Sequence, residues 1–259
     1  MKLKLKFIYE INIKFKIKIK DGIVLAAEKK IVSPLLDYTL VEKVTNISST
    51  EKLYRIDSHM IGAVAGLTSD ANILINYTRL TGQRHLYRYD TQMPVEQLVK
   101  KTCNVMQGYT QYGGLRPFGV SFLFAGYDKY HGFQLYLADP SGNYSGWKGV
   151  AIGSNYNTAT TMLRQEIHAD DDDDENDLDS KKISKDDKNH NKKILLDDAL
   201  KLCVKILSKT IDSTLLNSTK LEFATVSKDE DNEVVAKIWK PKEVDDLLEK
   251  HKDLLNTDN

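Results

Sequence analysis

Residues Tyr109 to Gly153 read YTQYGGLRPFGVSFLFAGYDKYHGFQLYLADPSGNYSGWKGVAIG, and strand-like runs alternate there with specific turn chemistry. Phe118, Val120, Phe122 and Phe124 fall on one face of an extended segment, and Leu123 and Ala125 fall on the other with Gly119 and Ser121,. A strand that is apolar on both faces needs a layer above and a layer below. Gly126-Tyr127-Asp128 and Tyr130-His131-Gly132 bracket a reversal, after which Phe133, Leu135 and Leu137 begin a second strand,. Asp139-Pro140-Ser141-Gly142 is a turn with a mechanism. Pro presets φ, Gly supplies positive φ, and the Asp side chain can accept from the backbone that follows. A third strand is expected from Tyr144 to Ile152, completing an antiparallel meander.

Outward from this meander, the C-terminal side shows a helix through Ala159, Met162, Leu163 and Ile167, and another through Leu196, Ala199, Leu200, Cys203, Ile206 and Leu207,. Strands follow at Leu221 to Val226 and Val234 to Trp239, and Pro241 opens a last helix through Val244, Leu247, Leu248 and His251,. On the N-terminal side, strands at Lys52 to Asp57 and Met60 to Gly66 meet near Ser58-His59. Thr68-Ser69-Asp70 offers N-cap chemistry for a helix to about His85 with Ile73, Tyr77 and Leu80 on its stripe. A second helix starts near Pro94, with Val95, Leu98, Val99, Cys103, Met106 and Tyr109 as its apolar set. Gly113-Gly114 is expected to cap its C-terminus. Helices covering both faces of antiparallel sheets give an α+β fold, a four-layer αββα sandwich.

From Met1 to Ile19 every odd position is apolar and nearly every even one is Lys, Glu or Asn, a strict period of two,. That is a strand pattern, either an edge strand protected by lysines or a first core strand from Lys14 onward, and Asp21-Gly22 turns it into a second strand at Ile23 to Ala27. Residues 41–50 read as a polar loop insertion. The tract from Ala169 to Lys193 contains Asp170 to Glu175 and no aromatic residue, and such a segment buries too little apolar area to offset its chain entropy, so a disordered charged insertion is expected,.

Thirty-seven Lys and Arg balance thirty-seven Asp and Glu, which removes any bulk electrostatic case for nucleic acid or an anionic membrane,. No apolar run reaches membrane-spanning length, and lysines interrupt any signal-peptide core. Cys103 and Cys203, the only cysteines, occupy apolar helical positions and read as reduced, buried thiols of a cytoplasmic or nuclear protein,. The six histidines show no paired helical spacing, the aspartate run lacks the spaced ligands of a calcium loop, and no glycine-rich phosphate loop occurs, so neither metal nor cofactor is expected,.

The order RPFGVS (Arg116 to Ser121), Gly126 with Asp128, DPSG (Asp139 to Gly142), YSGWK (Tyr144 to Lys148) and IG (Ile152, Gly153) resembles the alpha-type subunits of the 20S proteasome. The resemblance runs from about Asp21 to about Leu254, making residues 21–259 one alpha-type domain with the two insertions. It implies a noncatalytic subunit of the alpha ring in ubiquitin-dependent protein degradation, in the cytoplasm and nucleus. Its implied partners are other alpha subunits, beta subunits and the C-terminal tails of regulatory ATPases. The tail pocket of the family uses a lysine and a glycine fourteen residues further on, the spacing of Lys52 and Gly66. An ammonium there pairs with a terminal carboxylate, and a glycine admits close backbone approach.

Residues 1–20 depart from the family, since the tyrosine-aspartate opening, the turn and the first helix of alpha subunits are missing. The expectation is a wrongly assigned gene start from Met1 to roughly Phe15, which sequencing the transcript's 5′ end would decide. Two alternatives stand beside the alpha reading. A beta-type threonine protease needs an N-terminal threonine as nucleophile. Counting back from Asp21-Gly22 to its place reaches Glu10 to Asn12, where no Thr or Ser occurs, and Glu28 replaces the enzyme's aspartate. Lys52 alone has nothing to activate. The other alternative is a binding module with a basic N-terminal ribbon, testable by deleting the ribbon in a salt-sensitive pull-down.

Overall fold

The computed structural model describes residues 14–19, 22–29, 52–167, 196–211, 216–229 and 231–251. The expected insertions at 41–50 and 169–193 lie outside these. The strands are β1 (Lys14–Ile19), β2 (Gly22–Glu28), β3 (Leu53–Asp57), β4 (Met60–Gly66), β5 (Val120–Asp128), β6 (Gly132–Ala138), β7 (Tyr144–Gly146), β8 (Gly149–Ile152), β9 (Leu221–Lys228) and β10 (Val234–Ile238). The helices are α1 (Thr68–Tyr89), α2 (Val95–Gln111), α3 (Tyr156–Ile167), α4 (Leu196–Thr210) and α5 (Pro241–Lys250). One sheet has the order β10-β9-β2-β1-β8 and the other β3-β4-β5-β6-β7.

Strand parity builds the layers. Leu123 and Ala125 of β5 meet Ile61, Ala63, Phe133 and Leu135 of their own sheet and Ile23, Leu25, Val150, Ala224 and Val226 of the other. On the opposite face of β5, Phe122 and Phe124 pack with Leu74, Ile75, Leu98, Val99 and Met106 of α1 and α2. Val24, Ala26, Ala151 and Phe223 face α3, α4 and α5 in the same way on the other sheet. The order is therefore helix, sheet, sheet, helix, as the doubly apolar strand requires. Full burial of a side chain such as Phe122, 0% exposed, is favourable by about 1.5–3 kcal/mol. The two thiols sit in opposite outer layers, Cys103 with α1 and Cys203 with α3 and α5. Both are free, and burial pushes both thiols up, Cys103 to about 12 with Asp139 adding to the effect.

Four expectations change. The third strand of the meander is two strands, because the chain leaves one sheet after Gly146 and enters the other at Gly149. Trp147, 43% exposed, stands at this crossing as a surface residue, its backbone N–H donating to the Leu135 carbonyl at 3.0 Å. β1 is no edge strand, since it pairs with β2 on one side and β8 on the other. The stripe of α1 is Ala71, Leu74, Ile75, Thr78 and Gly82, whereas Ile73 and Leu80 are exposed. Finally, α2 ends at Gln111 with Tyr112 as its C-cap, before the glycine pair, and Gly114 at φ +83 belongs to the turn beyond.

Asp128, at the end of β5, fixes α2 to the sheet. Its Oδ2 accepts from the Val95 N–H at 3.2 Å and Gln134 Nε2 at 2.6 Å, and its Oδ1 from the Tyr130 and His131 N–H groups at 3.0 and 2.8 Å. One carboxylate thus satisfies a first-turn donor of α2 and ties down the β5–β6 hairpin.

Candidate functional site

The β3–β4 ladder sets Lys52 and Gly66 at one end of one sheet. Leu53 faces Ala63 across it, and the Val64 N–H donates to the Lys52 carbonyl at 3.0 Å, which sets Gly66 two residues beyond Lys52's partner at the same end of the sheet. The main chain of Lys52 is also held from the second sheet, because Glu222 Oε1 accepts its N–H at 2.9 Å. Glu222 shares the inward parity of Ala224 and Val226 on β9 and is 4% exposed. The lysine therefore enters β3 with its backbone pinned by both sheets.

Gly66 has φ +129, and a Cβ there would stand 2.2 Å from the Gly119 carbonyl oxygen. The fold itself requires glycine at this position, whatever approaches from outside. Gly119 accepts the Leu67 N–H at 2.9 Å and gives its own N–H to Asp70 Oδ2 at 2.9 Å. Asp70 then receives a fork from Arg116, Nη1 to Oδ2 at 2.6 Å and Nη2 to Oδ1 at 2.8 Å. The Arg116 fork holds the Asp70 carboxyl below its usual range, burial opposing and the Gly119 N–H assisting. This corrects the expected N-cap: α1 is preceded by Leu67, with no side-chain cap, and Asp70 turns to the loop before β5.

The sequence reading missed Glu222, Asp70 and Arg116. An acid at an inward strand position signals Glu222, but Asp70 and Arg116 stand 46 residues apart and leave no local pattern. Glu28 ends β2, opposite Leu221, and residues 10–12, where a beta-type nucleophile would stand, lie outside the described residues. Among the described residues no cluster of three His, Cys, Asp or Glu side chains could hold a metal ion, and no helix is long and apolar enough to cross a membrane.

The family described as "Proteasome subunit" matches residues 17–178. A probable proteasome subunit alpha type-3 of Schizosaccharomyces pombe is 48% identical over 235 residues, covering 90% of this chain and 82% of that protein. Proteasome subunit alpha type-4 of Dictyostelium discoideum is 49% identical over 230 residues, covering 88% and 80%. Proteasome subunit alpha type-3 of Saccharomyces cerevisiae is 46% identical over 231 residues, covering 89% and 78%. With this identity spread over most of its length, the chain belongs to the proteasome subunit family, as one of its noncatalytic alpha-type members.

Proposed function

We propose that this alpha-type subunit occupies the alpha ring of the 20S core, packs against alpha neighbours and beta subunits, and helps form the substrate channel. Lys52 and Gly66 contribute to a pocket for the C-terminal tails of regulatory ATPases, the lysine ammonium pairing with the tail carboxylate. The observation that carries this reading is the β3–β4 register, which brings Lys52 and Gly66 to one end of one sheet. A formal charge of zero favours protein partners over nucleic acid or membrane, and the subunit works in the cytoplasm and nucleus,. Residues 21–259 act as one alpha-type domain with insertions at 41–50 and 169–193, and β1, from the atypical N-terminal segment 1–20, lies between β2 and β8 in one of its sheets.

Core particles assembled with Lys52→Ala test the pocket. Losing a hydrogen bond to a charged group removes about 1.5–3 kcal/mol, so activator-stimulated peptide hydrolysis should need roughly ten- to a hundredfold more activator. An unchanged activator response would overturn the assignment. Gly66→Ala is the poorer probe, because its strain against Gly119 disturbs β4 and β5 directly.

A further inference from the structure

We propose that Asp70 and Arg116 form a clamp whose role is to position the Gly66–Leu67 wall of the tail pocket; this rests on the assignment of Lys52 and Gly66 above. The contacts run without a gap from surface to wall. Arg116 grips Asp70 with two hydrogen bonds, Asp70 holds the Gly119 N–H, and the Gly119 carbonyl holds the Leu67 N–H. The same carbonyl oxygen occupies the space a Gly66 side chain would need. Moving Gly119 therefore moves the wall.

Such a device answers a local need. Glycine at φ +129 has no side chain to lock its own conformation, and α1 begins two residues later with no side-chain cap,. The link between the β4 end and α1 must be fixed from outside, and the loop before β5 does it. The pair is lopsided: the Asp70 side chain is 6% exposed and that of Arg116 64%. Arg116 closes over a buried carboxylate from the solvent side. A planar fork makes two parallel bonds and sets direction as well as distance, which a lysine ammonium cannot reproduce.

The test uses assembled core particles carrying Arg116→Lys, Arg116→Ala or Lys52→Ala. The probe is a synthetic peptide of regulatory-ATPase C-terminal sequence with a free carboxylate, and its C-terminally amidated form is the control. Half-saturating peptide concentration, the plateau of stimulated hydrolysis and the particle's melting temperature are read together. Arg116→Lys, which keeps the charge and loses the fork, should raise the half-saturating concentration about tenfold and preserve the plateau. Arg116→Ala should do the same or more. If both Arg116 variants lower the melting temperature while half-saturation stays put, the pair is structural only and the clamp is overturned, provided Lys52→Ala still weakens binding. If Lys52→Ala also leaves half-saturation unchanged, the pocket reading itself falls, and the clamp with it.

Discussion

Gly142 shows how one residue can join a turn to a distant helix. It ends the Asp139-Pro140-Ser141-Gly142 turn with φ +86, and its N–H donates to the Asp139 carbonyl at 3.0 Å. Asp139 Oδ1 accepts from the Ser141 N–H at 2.8 Å and from the Ser141 hydroxyl. Every part of this turn was readable in the sequence, because Pro, Gly and Asp each act on neighbouring backbone. What was not readable is that the turn lies against α2, where a Cβ on Gly142 would stand 2.6 Å from the Cys103 carbonyl oxygen and 2.7 Å from the Gln107 nitrogen. Gly142→Ala should combine left-handed strain with a backbone clash and destabilise the chain by about 1–3 kcal/mol, measured as a lower urea midpoint with the same slope.

Among the elements, β5 was the easiest to read and α1 the hardest, for one physical reason. A strand covered on both faces is apolar at every position that counts, so its parity names both layers, and Phe122 and Leu123 indeed fall in different ones. Phe122→Ala should destabilise by about 3–5 kcal/mol, because a rigid sheet cannot collapse into the space left. The buried face of α1, in contrast, mixes Leu74 and Ile75 with small and polar residues. Gly82 lies on it, and Thr78 shares a 2.8 Å hydroxyl contact with Thr102 of α2. Ile73 and Leu80, more apolar than these, point outward at 59% and 54% exposure. Ile73→Ala should therefore change the stability of the chain by no more than about 0.5 kcal/mol, and a loss as large as that of Phe122→Ala would contradict the assigned face. The crossing from β7 to β8 was less visible, since Gly146 and Gly149 flank Trp147-Lys148 but no Pro, Asn or Asp beside them marks a change of sheet. At the site, the spacing of Lys52 and Gly66 was legible from the resemblance. Asp70 and Arg116 were not, because long-range charge pairs write no period into a sequence.

At the scale of the whole molecule, buried or hydrogen-bonded carboxylates tie the layers together: Asp70 joins α1 to the loop before β5, Asp128 joins β5 to α2, and Glu222 joins the two sheets. Burial alone would raise the Asp128 carboxyl, but the bonds from Gln134, His131, Val95 and Tyr130 outweigh it and hold it below its usual range. Asp70 is lowered too, chiefly by Arg116, and Glu243 chiefly by Lys237. A group whose folded pKa is depressed adds stability above its unfolded pKa and loses that contribution as pH falls through the folded value. His251 is also lowered, first by burial and then by Lys250 and Lys201, so folding favours its neutral form. The unfolded chain binds the extra proton there as well, and stability again declines toward acid. Two windows result: a shallow decline beginning near pH 6.5 from His251, and a steep one beginning near pH 4 from the aspartates. Chemical-denaturation midpoints measured from pH 8 to pH 3 should trace both. Asp128→Asn should be less stable than the parent at pH 7, since an amide oxygen accepts fewer of the four bonds, and its decline below about pH 4 should be shallower. An acid slope identical to the parent's would show that the β5–α2 tie is not what acid releases.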